Sequence, residues 1–131
     1  MKKVLFILPL LVFFLASSFG PTQEGGEVKP LKSAEFKAKI DSGKYILIDV
    51  RKAEEFNEGH VKGAINVDYF ADDFPAQMMS HSKKGTMILY CQGGGLSQRT
   101  ADKLSQNGID LVYYLNGGLN AYQVAGYKLT K

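Results

Sequence analysis

Two short runs constrain this chain most: Tyr45-Ile46-Leu47-Ile48-Asp49-Val50 and Thr86-Met87-Ile88-Leu89-Tyr90. Successive side chains of a strand point to opposite faces, so a strand that is apolar at neighbouring positions must be covered on both. Such strands fit a parallel sheet with helices packed over it. The intervening segments have helical patterns. Ser33 reads as an N-cap, followed by a helix over Ala34–Ile40 with Phe36 and Ile40 on one face. Lys52–Asn57 reads as a short helix closed by Gly59, and Ala64–Val67 as a second short strand. Asp72–Met79 is weakly helical. Ser97–Gln106 reads as a helix stopped by Asn107-Gly108, Asp110–Leu115 as a strand, and Leu119–Ala125 as a last helix after a Gly117-Gly118 turn. Strand and helix alternate, which predicts a layered α/β domain with a mainly parallel sheet.

The N-terminus departs from this pattern. Lys2 and Lys3 precede an apolar run over Val4–Leu15, and the small residues Ala16, Ser17, Ser18 and Gly20 follow. This is the build of a secretory signal peptide over residues 1–20. The apolar run is shorter than the ~20 residues that span a bilayer; an uncleaved anchor is the rival reading. Both place the protein outside the cytoplasm, periplasmic or secreted. Residues 21–29, with Gly25-Gly26, read as a linker, and 30–131 as one domain. Removing the leader takes Lys2 and Lys3 with it, so the net charge falls from +3 to +1. That near-neutrality argues against a polybasic nucleic-acid binder.

Cys91 is the single cysteine. It excludes an internal disulfide, a C-x-x-C redox pair and a zinc cluster. It stands immediately after the second apolar run and opens the segment Cys91-Gln92-Gly93-Gly94-Gly95-Leu96-Ser97. In parallel sheets ligands collect beyond the carboxyl ends of the strands. Consecutive glycines reach backbone angles closed to other residues and leave no side chains in an anion's way. Such a loop can turn several N–H groups inward, and the helix that follows adds its positive end. A sulfur at the centre is favoured as thiolate, the nucleophilic form. The bland alternative is a buried cysteine as core filler.

The residues also resemble a family, the single-domain rhodaneses, which are sulfurtransferases. The resemblance runs over about residues 30 to 128. It is carried by Ile48-Asp49-Val50-Arg51, Glu55-Phe56 and Gly59-His60-Val61-Lys62-Gly63-Ala64-Ile65-Asn66, then by the Cys91 loop, then by Leu115-Asn116-Gly117-Gly118 with Tyr122 and Gly126. It implies a three-layer α/β/α domain and a relay in which Cys91 takes a sulfur from a donor as a persulfide and passes it to a thiol or other thiophile. In that reading Cys91 is the nucleophile. Gln92, Gly93, Gly94, Gly95, Leu96 and Ser97 surround the substrate, and Asp49 and Arg51 stand at the mouth. Members of the family often have Arg where this chain has Leu96. The neutral loop therefore argues against thiosulfate as natural donor.

The remaining candidates have plainer readings. Asp49 and Arg51 also fit a structural ion pair. His60 reads as a hydrogen-bonded turn residue, His81 as solvated, Met78-Met79 as core and Gly117-Gly118 as a turn requirement alone. A Cys-dependent phosphatase needs an Arg six residues after the Cys to clamp the oxyanion; position 97 is Ser. A catalytically weak binding module on the same fold is the main competing function. The expected partners are a small-molecule sulfur donor, a thiol acceptor and a redox or sulfur-relay protein, with no nucleic acid. No metal or organic cofactor is implied.

Overall fold

The computed structural model describes residues 25–131. The signal peptide expected over 1–20 lies outside the described residues. The elements run β1 (Glu27–Leu31), α1 (Ser33–Asp41), β2 (Ile46–Asp49), α2 (Ala53–Glu58), β3 (Ile65–Asn66), α3 (Phe74–Ser82), β4 (Met87–Tyr90), α4 (Gly95–Gln106), β5 (Leu111–Leu115) and α5 (Gly118–Val124). The strands form one sheet in the order β1-β5-β4-β2-β3, and every pairing is parallel.

The two apolar runs are the sheet's interior. Met87, Ile88, Leu89 and Tyr90 are all at most 1% exposed, so β4 is covered on both faces. Alternation along it divides the core in two. Met87 and Leu89 join Ile48, Met78, Ala101, Leu104 and Val112 beneath α3 and α4. Ile88 and Tyr90 join Leu47, Phe36, Leu115, Leu119 and Tyr122 beneath α1 and α5. The result is the expected three-layer α/β/α arrangement. Phe36 carries much of the second layer, meeting Tyr90 and Tyr122 edge-on at centroid separations of 6.0 and 5.5 Å.

The linker reading of 21–29 needs correction, because Glu27–Lys29 belong to the sheet. Val28 and Leu31 lie opposite Val112 and Leu115 of β5. The segment is polar and contains Pro30, which suits an edge strand that need not donate on its outer side. Its strand character comes from pairing with β5. At α1 the cap is Lys32 in place of Ser33, and the Lys32 N–H donates to Glu35 Oε1 at 3.1 Å. The helix after the Cys91 loop starts at Gly95, two residues before the expected Ser97. His81 is also corrected: its Nδ1 is buried and has no hydrogen-bond partner among the described residues.

Tyr90 ties β4 to the segment before β3. Its hydroxyl accepts the Val61 N–H at 3.0 Å. Burial, reinforced by the Asp49 carboxylate, pushes the phenol far above its ordinary value, so it stays protonated. A buried phenol of this kind weakens the fold once the unfolded chain can ionise. Stability should therefore fall above about pH 10, by at most ~1.4 kcal/mol per unit from this group. Tyr90→Phe should cost ~1–3 kcal/mol at neutral pH by stranding the Val61 N–H, and should lessen the alkaline loss. Urea denaturation at pH 7 and pH 10.5 checks both; equal stability of the two proteins at pH 7 would contradict the assignment.

Candidate active site

β4 delivers Cys91 to the carboxyl edge of the sheet, in register with the end of β2, where Asp49 lies opposite Tyr90. The chain then turns back on itself. Gly94 takes a positive φ of 96° and serves as the N-cap of α4. That conformation aims backbone donors at the sulfur. The Gly94 N–H donates to Cys91 Sγ at 3.1 Å and the Ser97 N–H at 3.5 Å. Ser97 Oγ also lies 3.5 Å from Sγ, and 3.0 Å from the Gly94 carbonyl it can bond. Two backbone N–H groups therefore point at the sulfur, while the one Ser97 hydroxyl proton is directed to the Gly94 carbonyl. The N–H groups of Gly95 and Leu96, in the first turn of α4, have no partner among the described residues. Unsatisfied donors are normal at a helix start; here they border the space in front of the sulfur.

Cys91 is 3% exposed, yet it is not sealed. It lines a cavity of about 350 Å³ together with Gln92, Gly93, Gly95, Leu96 and Arg51. Lys52, Glu55, Phe70 and Arg99 complete the wall. These four were absent from the expected site. Arg99 was within reach of sequence reasoning: with α4 starting at Gly95, Leu96 and Arg99 are three apart and share a face. Lys52, Glu55 and Phe70 arrive from other elements, and only the fold brings them in. They change the electrostatic picture, since the loop is neutral but the cavity wall is not.

Asp49 is not at the mouth. It is fully buried, and its carboxylate is occupied by Arg51. Arg51 Nη2 donates to Asp49 Oδ2 at 2.8 Å and Nε to Oδ1 at 3.1 Å, while the Arg51 N–H donates to Oδ1 at 2.9 Å. Burial opposes the Arg51 charge, but the Asp49 carboxylate outweighs it and holds the guanidinium pKa above its ordinary value. The structural ion-pair reading therefore holds for Asp49, while Arg51 does both jobs. It also donates to the Gly59 carbonyl at 2.6 Å and, through Nη1, to Gln92 Oε1 at 3.3 Å. Gln92 Nε2 passes the brace on to Asn120 Oδ1 at 2.6 Å. His60 is a turn residue as expected, with Nδ1 2.9 Å from the Phe56 carbonyl and its ring stacked on Phe56 at 3.8 Å.

The Gly117-Gly118 turn does more than reverse the chain. It presents the start of α5 to the back of the loop, where the Leu119 and Asn120 N–H groups donate to the Cys91 and Gln92 carbonyls at 3.0 and 3.1 Å. A Cβ at Gly118 would sit 2.6 Å from Cys91 O and 2.5 Å from Gln92 O, in a residue with φ of 59°. Gly118→Ala should therefore cost ~1–3 kcal/mol, the scale for a strained left-handed residue, and change the rate at which iodoacetamide alkylates Cys91. Denaturation and timed mass spectrometry check this; a variant with unaltered stability and alkylation would contradict the coupling of turn to loop.

Comparison with known proteins places this geometry. The family described as the rhodanese-like domain matches residues 32–125. Among curated relatives, a tRNA uridine(34) hydroxylase of Cytophaga hutchinsonii is 31% identical over 121 residues, 90% of this chain and 38% of that protein. One from Erwinia tasmaniensis is 30% identical over 96 residues, 70% of this chain and 27% of that protein. The chain thus spans well under half the length of these relatives. Among solved structures, a rhodanese-like domain protein of Staphylococcus aureus is 30% identical with a TM-score of 0.61, covering 72% of this chain and 90% of that one. A thiosulfate sulfurtransferase of Pseudomonas aeruginosa shares the fold at 21% identity and a TM-score of 0.65, over 79% of this chain and 20% of that one. By its matched segment, its sheet and its cysteine loop, the chain belongs to the rhodanese-like domain family.

Proposed function

We propose that the protein is a sulfurtransferase that carries sulfane sulfur on Cys91. One observation supports this best: the only thiol in the chain faces an open cavity while the Gly94 and Ser97 N–H groups point at its sulfur. Hydrogen bonds to a charged group are worth ~1.5–3 kcal/mol each, and in this reading the Gly94 and Ser97 N–H groups supply two of them to the attacking sulfur. The thiolate attacks the outer sulfur of a donor. A Cys91 Sγ–S bond forms, the donor's own bond to that sulfur breaks, and the leaving group departs with the electron pair. An acceptor thiolate then attacks the outer sulfur, and Cys91 leaves as thiolate. The loop donors serve both anions, the thiolate before transfer and the persulfide after it. In this reading the Gly95 and Leu96 N–H groups, which have no partner among the described residues, meet the second. The hydroxylation in the names of the longer relatives is not part of this proposal.

The exported setting expected from residues 1–20 belongs to the same reading. An oxidising compartment threatens a thiolate with sulfenic acid and mixed disulfides. The 3% exposure of Cys91 restricts access and offers protection. Fractionation of cells expressing the full chain should recover the protein outside the cytoplasm; cytoplasmic recovery would contradict that placement.

The function is tested with a donor panel of thiosulfate, 3-mercaptopyruvate, glutathione persulfide and polysulfide. Wild type should gain the mass of one sulfur with at least one donor and pass it to a thiol. Cys91→Ser should fold and gain none. Absence of any gain in the wild type would favour a binding module; equal turnover in Cys91→Ser would refute the nucleophile. Leu96→Arg, which puts a cation into the loop, should lower the apparent KM for thiosulfate; an unchanged or higher value would contradict the account of the loop.

A further inference from the structure

The segment after α5 lies outside the five-stranded sheet, yet it is tied to the brace of the Cys91 loop. Gly126, at a φ of 93°, ends α5 and turns the chain back, its N–H donating to the Gln123 carbonyl at 3.0 Å. From there the residues alternate as a strand does. Tyr127 and Leu129 are partly buried against the core layer beneath α1 and α5, while Lys128 and Thr130 are exposed. Tyr127 stacks on Tyr122 at a centroid separation of 4.8 Å. Thr130 then forms an antiparallel bridge with His60. Its N–H donates to the His60 carbonyl and its carbonyl accepts the His60 N–H, each at 2.8 Å.

The bridge lands beside a contact of the site. Gly59 precedes His60, and its carbonyl accepts Arg51 Nη2 at 2.6 Å. The Leu129 side chain covers the same residue; a Cβ at Gly59 would sit 3.5 Å from it. Asp49 holds one edge of the guanidinium, and the Gly59 carbonyl gives Nη2 a second anchor. The contact from Nη1 to Gln92 Oε1, at 3.3 Å, is the longest hydrogen bond that Arg51 makes. A planar guanidinium moves as a unit, so a displaced Gly59 carbonyl is felt first at Gln92, the residue after Cys91. Thr130 itself does not line the cavity in front of Cys91. We propose that Thr130 is a positioning residue for the Cys91 loop. Its backbone pairing with His60 fixes the Gly59 carbonyl, that carbonyl sets the Arg51 guanidinium, and Arg51 braces the loop through Gln92. The proposal rests on the reading of Cys91 as the functional thiol and adds what holds its loop closed.

The test is a double-mutant cycle, which separates action through Gln92 from a general loosening of the fold. Thr130→Pro removes the N–H that the His60 carbonyl accepts. Its effect is measured alone and in a Gln92→Ala background, as the rate at which iodoacetamide alkylates Cys91, followed by timed mass spectrometry. The rate is taken at a pH where it no longer rises, so that it reports access to the sulfur and not its ionisation. Cys91 is 3% exposed, so alkylation requires the loop to open. Thr130→Pro should speed alkylation about two- to tenfold, the range set by the net worth of one hydrogen bond. In the Gln92→Ala background the same substitution should change the rate by a factor near one. A Thr130→Pro protein that reacts at the wild-type rate, or a substitution that speeds both backgrounds equally, would overturn the proposal. Should Thr130→Pro fail to fold, as read by circular dichroism, Leu129→Ala loosens the same segment and takes its place in the cycle with the same two expectations. Alkylation needs no sulfur donor, so failure of every donor to load Cys91 would overturn the sulfurtransferase reading and not this coupling.

Discussion

The contact between the Gly94 N–H and Cys91 Sγ, at 3.1 Å, organises the functional end of the molecule. It exists because Gly94 adopts a positive φ that folds the chain back over the residue three positions before it. A side chain at Gly94 would be strained in that conformation, and its Cβ would sit 3.0 Å from the Gly117 backbone nitrogen. The same reversal starts α4 at Gly95, so that Gly95 and Leu96, whose N–H groups have no partner among the described residues, line the sulfur's cavity. Under the proposed function, charge stabilisation would come from the backbone, which has no rotamer freedom to lose when an anion arrives.

The rest of the fold holds that loop from three sides. Below it, β4 is covered on both faces and anchors Cys91 at the edge of the sheet. Behind it, α5 satisfies the Cys91 and Gln92 carbonyls. Beside it, the buried Asp49–Arg51 pair reaches Gln92 and through it Asn120. A buried ion pair is weak evidence for stability, since desolvation offsets most of its attraction. Its role here is better described as placement. Arg51 is held so that it braces the loop and lines the cavity, and the carboxylate that holds it never meets solvent.

The sequence made some of this visible and hid some for physical reasons. The layered α/β plan was readable because β2 and β4 are apolar on both faces, a pattern that leaves few other solutions. The Cys91 loop is legible from its run of three glycines, although only Gly94 of the three takes a positive φ. The edge strand β1 was not, since Glu27, Lys29 and Pro30 have no strand signal until β5 pairs with them. The start of α4 at Gly95 is hidden in the sequence because glycine has low helix propensity, though in the first turn it is tolerated. That displacement also hid Arg99, one turn along the same face as Leu96. Lys52, Glu55 and Phe70 are distant in the chain and meet Cys91 only in the folded protein. The place of Asp49 at a strand end points to the mouth of the site, but its carboxylate turns inward to Arg51.

The central claim is that main-chain donors of this loop hold a charged sulfur and its persulfide. It is tested most directly by a crystal structure of the protein after treatment with a persulfide donor. The account predicts one additional sulfur bonded to Cys91 Sγ, within hydrogen-bonding distance of the Gly95 or Leu96 N–H, with the loop backbone unchanged. A bound sulfur turned away from those N–H groups, or one reached only after the loop has opened, would contradict it.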